Sequence, residues 1–250
     1  MSLLNVKHLQ KIYSTRFSSQ KVEALKDVSF DVEEGEYIAI MGESGSGKTT
    51  LLNILASLDK PTSGEVLLDG KDLTKISDKH ISAFRRDNLG FVFQDFNLLD
   101  TFNVADNIYL PLVLSKEPYA LMKPKLEKLA RSLGINHLLE KYPYEISGGQ
   151  KQRLAIARAI AKNPDIYIFD DSFSALDFKT DAKLRQELNQ LVKKTKSTVL
   201  LVGQRIASIM DADQIIVLDN GKIVGKGTHD ELMKNCQVYQ EIAYSQLSKE

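Results

Sequence analysis

"YIAIMGESGSGKTTLLNILASL", residues 37–58, changes rhythm in the middle, and that change decides the fold. Tyr37 to Met41 is a short apolar run without alternation, as expected of a strand buried on both faces. From Lys48 onward the apolar residues recur at helical spacing. Between them Gly42, Glu43, Ser44, Gly45, Ser46, Gly47, Lys48 and Thr49 satisfy G-x-x-x-x-G-K-[ST] in the strand-to-helix setting that the pattern requires. The glycines let successive backbone N–H groups turn toward a phosphate, and the helix that follows directs its positive end there. Lys48 is expected to reach the β- and γ-phosphates and the Thr49 hydroxyl to hold Mg²⁺, with Thr50 beside them. The ligand this predicts is a nucleoside triphosphate with Mg²⁺.

Other segments extend the pattern. "DIYIFD" (165–170) and "TVLLVG" (198–203) are further apolar runs without alternation, and strands that alternate with helices predict a parallel sheet covered on both faces. "ALKDVSFDVEEGE" (24–36) alternates, with Val28, Phe30 and Val32 on one face and Ser29, Asp31 and Glu33 on the other, which predicts a half-buried antiparallel strand. "SDKHISAFRR" (77–86) and "KPKLEKLARSLGINHLLEKYP" (123–143) are helical, with Leu126, Leu129, Ala130 and Leu133 on one stripe. A mainly helical insert is placed at 75–160, inside a core of 1–75 and 160–250. "QIIVLDNGKIVGKGT" (214–228) predicts a hairpin turned at Asn220–Gly221, and the capping box of Thr228 with Glu231 opens a final helix. Asp170, closing its strand, is the expected magnesium carboxylate.

Composition narrows the function classes. The chain has 250 residues, 43% of them hydrophobic, enough for one large α/β domain. Thirty-three acids balance 33 bases, so no global field draws in nucleic acid, which is not expected as a partner. The single cysteine, Cys236, fits a reducing compartment. Polar residues come too early for a signal peptide and no apolar run is long enough to span a bilayer, so a cytoplasmic location is expected.

"YEISGGQKQRLAIARAIAKNPDIYIFDD" (144–171) carries a family resemblance. With the phosphate loop in the same order, the chain resembles the ATP-binding-cassette ATPases over nearly its whole length. The resemblance implies an α/β P-loop NTPase with a RecA-like parallel core sheet, an antiparallel β subdomain and a helical subdomain that carries the signature. It further implies that Tyr13 stacks on adenine, that Gln94 in "GFVFQDFNLL" contacts magnesium and senses the γ-phosphate, and that Ser174 to Asp177 form the D-loop. Ser147, Gly148, Gly149 and Gln150, opening a helix, supply a second anion cradle. In the family this cradle closes over the ATP held by a second chain, in a head-to-tail dimer. A homo- or heterodimer on ATP binding is therefore implied, with a membrane permease holding it at the inner face of the cell membrane. The permease is expected to sit in a groove within roughly 80–115.

Two positions depart from the family. Asp171 stands where hydrolytically competent members carry a water-polarising glutamate, and Gln204 in "LLVGQRIAS" stands where they carry a histidine on the γ-phosphate. A missing methylene displaces the carboxylate by roughly 1 Å, which can cost on the order of a hundredfold in rate. Glutamine accepts and donates hydrogen bonds but carries no charge and relays no proton. Impaired hydrolysis is thus expected of the catalytic set Lys48, Gln94, Asp171 and Gln204. The alternative is a nucleotide-gated dimerisation module with negligible turnover. The N-terminal part also looks like bacitracin-resistance, macrolide-export or lipoprotein-release ATPases, whereas "DDSFSALD" and the residues after it look like the nucleotide-binding half of an exporter. That contrast implies a mosaic, natural or engineered, joined near 155–170.

Overall fold

A computed structural model describes residues 2–14, 21–171, 185–186, 195–203 and 205–247. Its strands are β1 (Ser2–Ser14), β2 (Lys21–Glu33), β3 (Tyr37–Met41), β4 (Ser63–Leu68), β5 (Lys71–Asp72), β6 (Leu89–Val92), β7 (Ile166–Asp170), β8 (Thr198–Val202), β9 (Gln214–Asp219) and β10 (Lys222–Gly227). Its α-helices are α1 (Lys48–Leu55), α2 (Asp78–Asn88), α3 (Val104–Leu114), α4 (Tyr119–Ser132), α5 (Gly148–Ile160), α6 (Ile206–Ile209), α7 (His229–Asn235) and α8 (Gln237–Leu247). They fall into two compact units, Met1–Ser82 with Thr198–Glu250, and Ala83–Ser197. The second unit runs past the 75–160 insert and takes in β7.

In the first unit, β3 lies between β8 and β9 and runs parallel to both, and β10 is antiparallel to β9. Every residue of β3 and β8 is buried, which is why neither alternates. Beside it, β1 pairs antiparallel with β2 and β4. The registers Leu4↔Val32 and Val6↔Phe30 bring together the buried rows read from the alternation, while Ser29, Asp31 and Glu33 face outward. The capping box at Thr228 forms, but one expectation is corrected here: two helices, not one, follow it. Cys236 sits between them in an extended conformation and is buried, its Sγ within 2.6 Å of where a Cβ on Gly225 would lie.

In the second unit, β6 pairs in parallel with β7, from Leu89↔Ile166 to Val92↔Phe169. Its core comes from Val104, Ile108 and Leu112 of α3, Leu126 and Ala130 of α4, and Leu154 to Ala157 of α5. Asn107, fully buried, donates to the carbonyls of Leu99, Phe102 and Asn103 and accepts from the Leu99 amide, so it fixes the segment that leads into α3.

Candidate functional site

The phosphate loop connects β3 to α1. Gly47 has φ +105, and a Cβ there would lie 2.5 Å from the Ala24 carbonyl oxygen, so only glycine fits. The loop wraps the Lys48 side chain, whose ammonium donates to the carbonyls of Gly42 at 2.8 Å and Glu43 at 2.6 Å and to Ser46 Oγ at 3.4 Å. Lys48 is only 8% exposed, whereas Glu43, Ser44 and Gly45 face solvent. The N-terminus of α1 has no side-chain cap and no acidic residue in its first turn. Its leading amides therefore keep their positive end for an anion. Thr49, in that turn, is exposed.

A distant hairpin supports the loop. Asn220 (φ +46) and Gly221 (φ +77) form the two-residue turn read from the sequence. The Gly221 amide donates to the Ser46 carbonyl at 3.1 Å, and the Lys26 amide donates to the Gly221 carbonyl at 2.6 Å. A Cβ on Gly221 would lie 2.8 Å from the Ala24 oxygen. The hairpin thus packs against both β2 and the phosphate loop.

Tyr13 lies in the same unit, 41% exposed. Its hydroxyl donates to Asp59 Oδ2 at 2.9 Å, Asp59 Oδ1 accepts from Lys11 at 2.7 Å, and the Lys11 ammonium stands 4.8 Å from the Tyr13 ring centre. Burial raises the Tyr13 phenol, a hydrogen bond with Thr50 lowers it and the one to Asp59 raises it, and the net shift is upward. Burial likewise raises the Asp59 carboxyl, but hydrogen bonds from Lys11, Tyr13 and the Lys60 amide outweigh it and hold the group below its usual range. These partners fix a flat aromatic ring, half open to solvent. Nothing in the sequence singled out Asp59 or Lys11 as members of this network.

The second unit carries the other predicted residues. Gln94 follows β6 and is exposed. Two residues later Phe96 (φ +63) and Asn97 (φ +44) both adopt the left-handed conformation, which a phenylalanine rarely does. Arg158 of α5 holds them, donating Nη1 to the Asn97 carbonyl at 2.7 Å and Nη2 to the Phe96 carbonyl at 2.8 Å; burial lowers its pKa. Arg158 escaped the sequence reading because it resembles any polar residue on a helix. At the other end of α5, Ser147 Oγ accepts from the Gln150 amide at 3.4 Å and Gln150 Oε1 accepts from the Ser147 amide at 2.8 Å, a capping box. The Ser147 hydroxyl proton is left over from this arrangement, and Ser147 and Gly148 are exposed. Asp170 ends β7 with only 8% exposure, and Asp171 follows in the left-handed conformation at φ +44. Ser174 to Asp177 and Gln204 lie outside the described residues.

Of the residues expected to serve Mg²⁺, Thr49 belongs to the first unit and Gln94 and Asp170 to the second, and each is an oxygen donor of the kind that suits a hard cation. No group of three His, Cys, Asp or Glu that could hold a metal occurs among the described residues. Phosphate oxygens and water would therefore have to supply most of the shell, as magnesium allows. His229 is structural: its Nδ1 shares a 2.7 Å hydrogen bond with the Tyr239 hydroxyl, whose pKa burial pushes up to about 12.

Within the second unit, a groove of about 200 Å³ opens between β6, α3 and the end of α5. Phe91, Leu110, Pro111 and Leu114 give it an apolar lining, to which Arg158 and Lys162 add two cationic side chains.

The sequence profile of the family described as "ABC transporter" matches residues 25–174. The chain is 42% identical over 240 residues to the ABC transporter ATP-binding protein YxdL of Bacillus subtilis (strain 168), covering 96% of this chain and 91% of that protein. It is 41% identical over 223 residues to the bacitracin export ATP-binding protein BceA of Halalkalibacterium halodurans, covering 89% of this chain and 87% of that one. Among solved structures, the dimeric post-hydrolysis state of the ATP-binding cassette MJ0796, bound to ADP and Pi, superimposes with a TM-score of 0.85 at 35% identity, over 90% of this chain and 98% of that one. Single relatives such as YxdL and BceA match across both halves of the chain, so the mosaic expected near 155–170 gains no support from these matches.

Proposed function

The chain belongs to the ABC transporter family as an ATP-binding subunit of the ATPase type, and from that premise we propose that it drives a membrane permease through a head-to-tail dimer that closes on two ATP molecules. The observation that carries the reading is the uncapped N-terminus of α1 behind a loop wrapped on Lys48. Lys48 and the leading amides of α1 would bind the phosphates, and the Tyr13 ring, held by Asp59, would take the adenine face. Ser147, Gly148, Gly149 and Gln150, with Asp177, would close over the ATP of the second subunit. Thr49, Gln94 and Asp170 would hold Mg²⁺, which neutralises charge developing on the phosphates. The Phe91–Leu114 groove falls in the 80–115 stretch and would receive the permease, keeping the subunit at the inner membrane face; no helix among the described residues is long and apolar enough to cross a membrane. BceA is named for bacitracin export, and a permease of that kind would be the partner.

Hydrolysis is slow in this reading. Asp171 would orient the attacking water from a carboxylate one methylene shorter than glutamate, and Gln204 would contact the γ-phosphate without a charge to lend. The shortened carboxylate at Asp171 together with the uncharged Gln204 favours the second reading, a nucleotide-gated dimerisation module. Sedimentation with ATP and Mg²⁺, beside ATP turnover, separates the two. A dimer that forms and dissolves with turnover supports the transporter ATPase, a persistent dimer without turnover supports the module, and a chain that stays monomeric with ATP and Mg²⁺ rules out both.

A further inference from the structure

Lys11 covers one face of the Tyr13 ring. Its side chain is 12% exposed, and its ammonium stands over the ring, 4.8 Å from the centre. Two oxygens pin it there, Asp59 Oδ1 at 2.7 Å and the Lys60 carbonyl at 2.6 Å. What Tyr13 still offers a flat ligand is the opposite face. The ring has supports besides Lys11. Its hydroxyl donates to Asp59 Oδ2, and Asp59 Oδ1 also accepts from the Lys60 amide at 2.7 Å. The Asp59 amide in turn donates to the Asn53 carbonyl of α1 at 3.1 Å. All of these residues lie in the first unit. A cation over one face draws π density toward itself, so the other face is less negative than it would be without that charge. Such a face stacks best on a broad, electron-rich base, which a purine is and a pyrimidine is less.

We propose that Lys11 is a specificity-determining residue of the nucleotide site: from the covered face of Tyr13 it polarises the ring, so that the open face prefers a purine to a pyrimidine triphosphate. The inference rests on the stacking of the base on Tyr13 put forward above, and adds which face is used and what sets its preference.

The test titrates ATP, UTP and inorganic tripolyphosphate into the complete chain by calorimetry, without Mg²⁺ so that turnover does not intrude. ATP is expected to bind about tenfold more tightly than UTP, and tripolyphosphate, which has no base, more weakly than either. Lys11→Met should shrink the ATP-over-UTP ratio to about threefold or less, with tripolyphosphate within about twofold of the parent value. Lys11→Arg, which keeps a cation able to lie on an aromatic face, should keep the preference. Equal binding of ATP and UTP by the parent overturns the proposal, and so does a ratio in Lys11→Met within about twofold of the parent's. A loss in Lys11→Met that extends equally to tripolyphosphate also overturns it, because the residue then acts on the fold or the phosphate loop. These outcomes leave stacking on Tyr13 in place. If Tyr13→Ala binds ATP as tightly as the parent, stacking itself is wrong and the proposal falls with it.

Discussion

The amide of Gly221 donates to the carbonyl of Ser46, and with that single 3.1 Å bond the tip of a C-terminal hairpin becomes part of the phosphate loop. The turn must pass close to β2, where a side chain on Gly221 would overlap the Ala24 carbonyl. Gly221→Ala should therefore cost more than the about 1–2 kcal/mol of a left-handed alanine. Gly70→Ala, at φ +73 with nothing within 4 Å, isolates that backbone cost. Urea denaturation should show the larger loss at Gly221, and ATP affinity should fall there alone.

Arg158 is expected to act as a positioning residue for Gln94. Arg158→Met leaves the Phe96 and Asn97 carbonyls without their donor in a conformation that needs one. A displaced Gln94 should lower kcat by about tenfold or more while KM for ATP stays within about twofold. Equal losses in both would point to general unfolding instead.

Ser147 does two things that substitution can separate. Ser147→Ala removes the cap of α5 and should destabilise by about 1 kcal/mol. Ser147→Asp keeps a cap but sets a negative charge where the partner's phosphate would sit. Thermal melts should show near-parent stability for the aspartate, and sedimentation with ATP should show no dimer.

The Asp59 carboxyl, held below its ordinary 3.8 by hydrogen bonds that outweigh burial, makes the Tyr13 support acid-sensitive. A depressed carboxyl contributes stability in full above the unfolded value and loses it as pH falls through the folded one. The difference in urea midpoint between the parent and Asp59→Asn should thus be full at about pH 6 and shrink below 3.8.

Asp171→Glu with Gln204→His should raise steady-state ATP turnover about tenfold or more, roughly 1.4 kcal/mol of barrier. Turnover by the parent equal to that of the double substitution would refute impaired hydrolysis.

Local signals were legible and long-range ones were not. The buried strands, the glycine-rich loop, the Asn220–Gly221 turn and the capping box at Thr228 are written in neighbouring residues, and a short window suffices to read them. That the turn would rest on Ser46 depends on a contact between opposite ends of the chain. Phe96 carries no signal for a left-handed backbone, and Arg158, which bonds its carbonyl, lies on a distant helix. The break at Cys236 likewise has no glycine or proline to announce it, and Cys236 is buried beside Gly225.

The hairpin also sets an order of assembly. Residues 42–49 leave the ribosome early, but Gly221, which braces Ser46, follows only after most of the chain. The nascent loop is therefore without its brace for most of synthesis. Full nucleotide affinity is acquired near the end, so a truncated translation product would lack the grip on ATP needed to compete for a partner subunit.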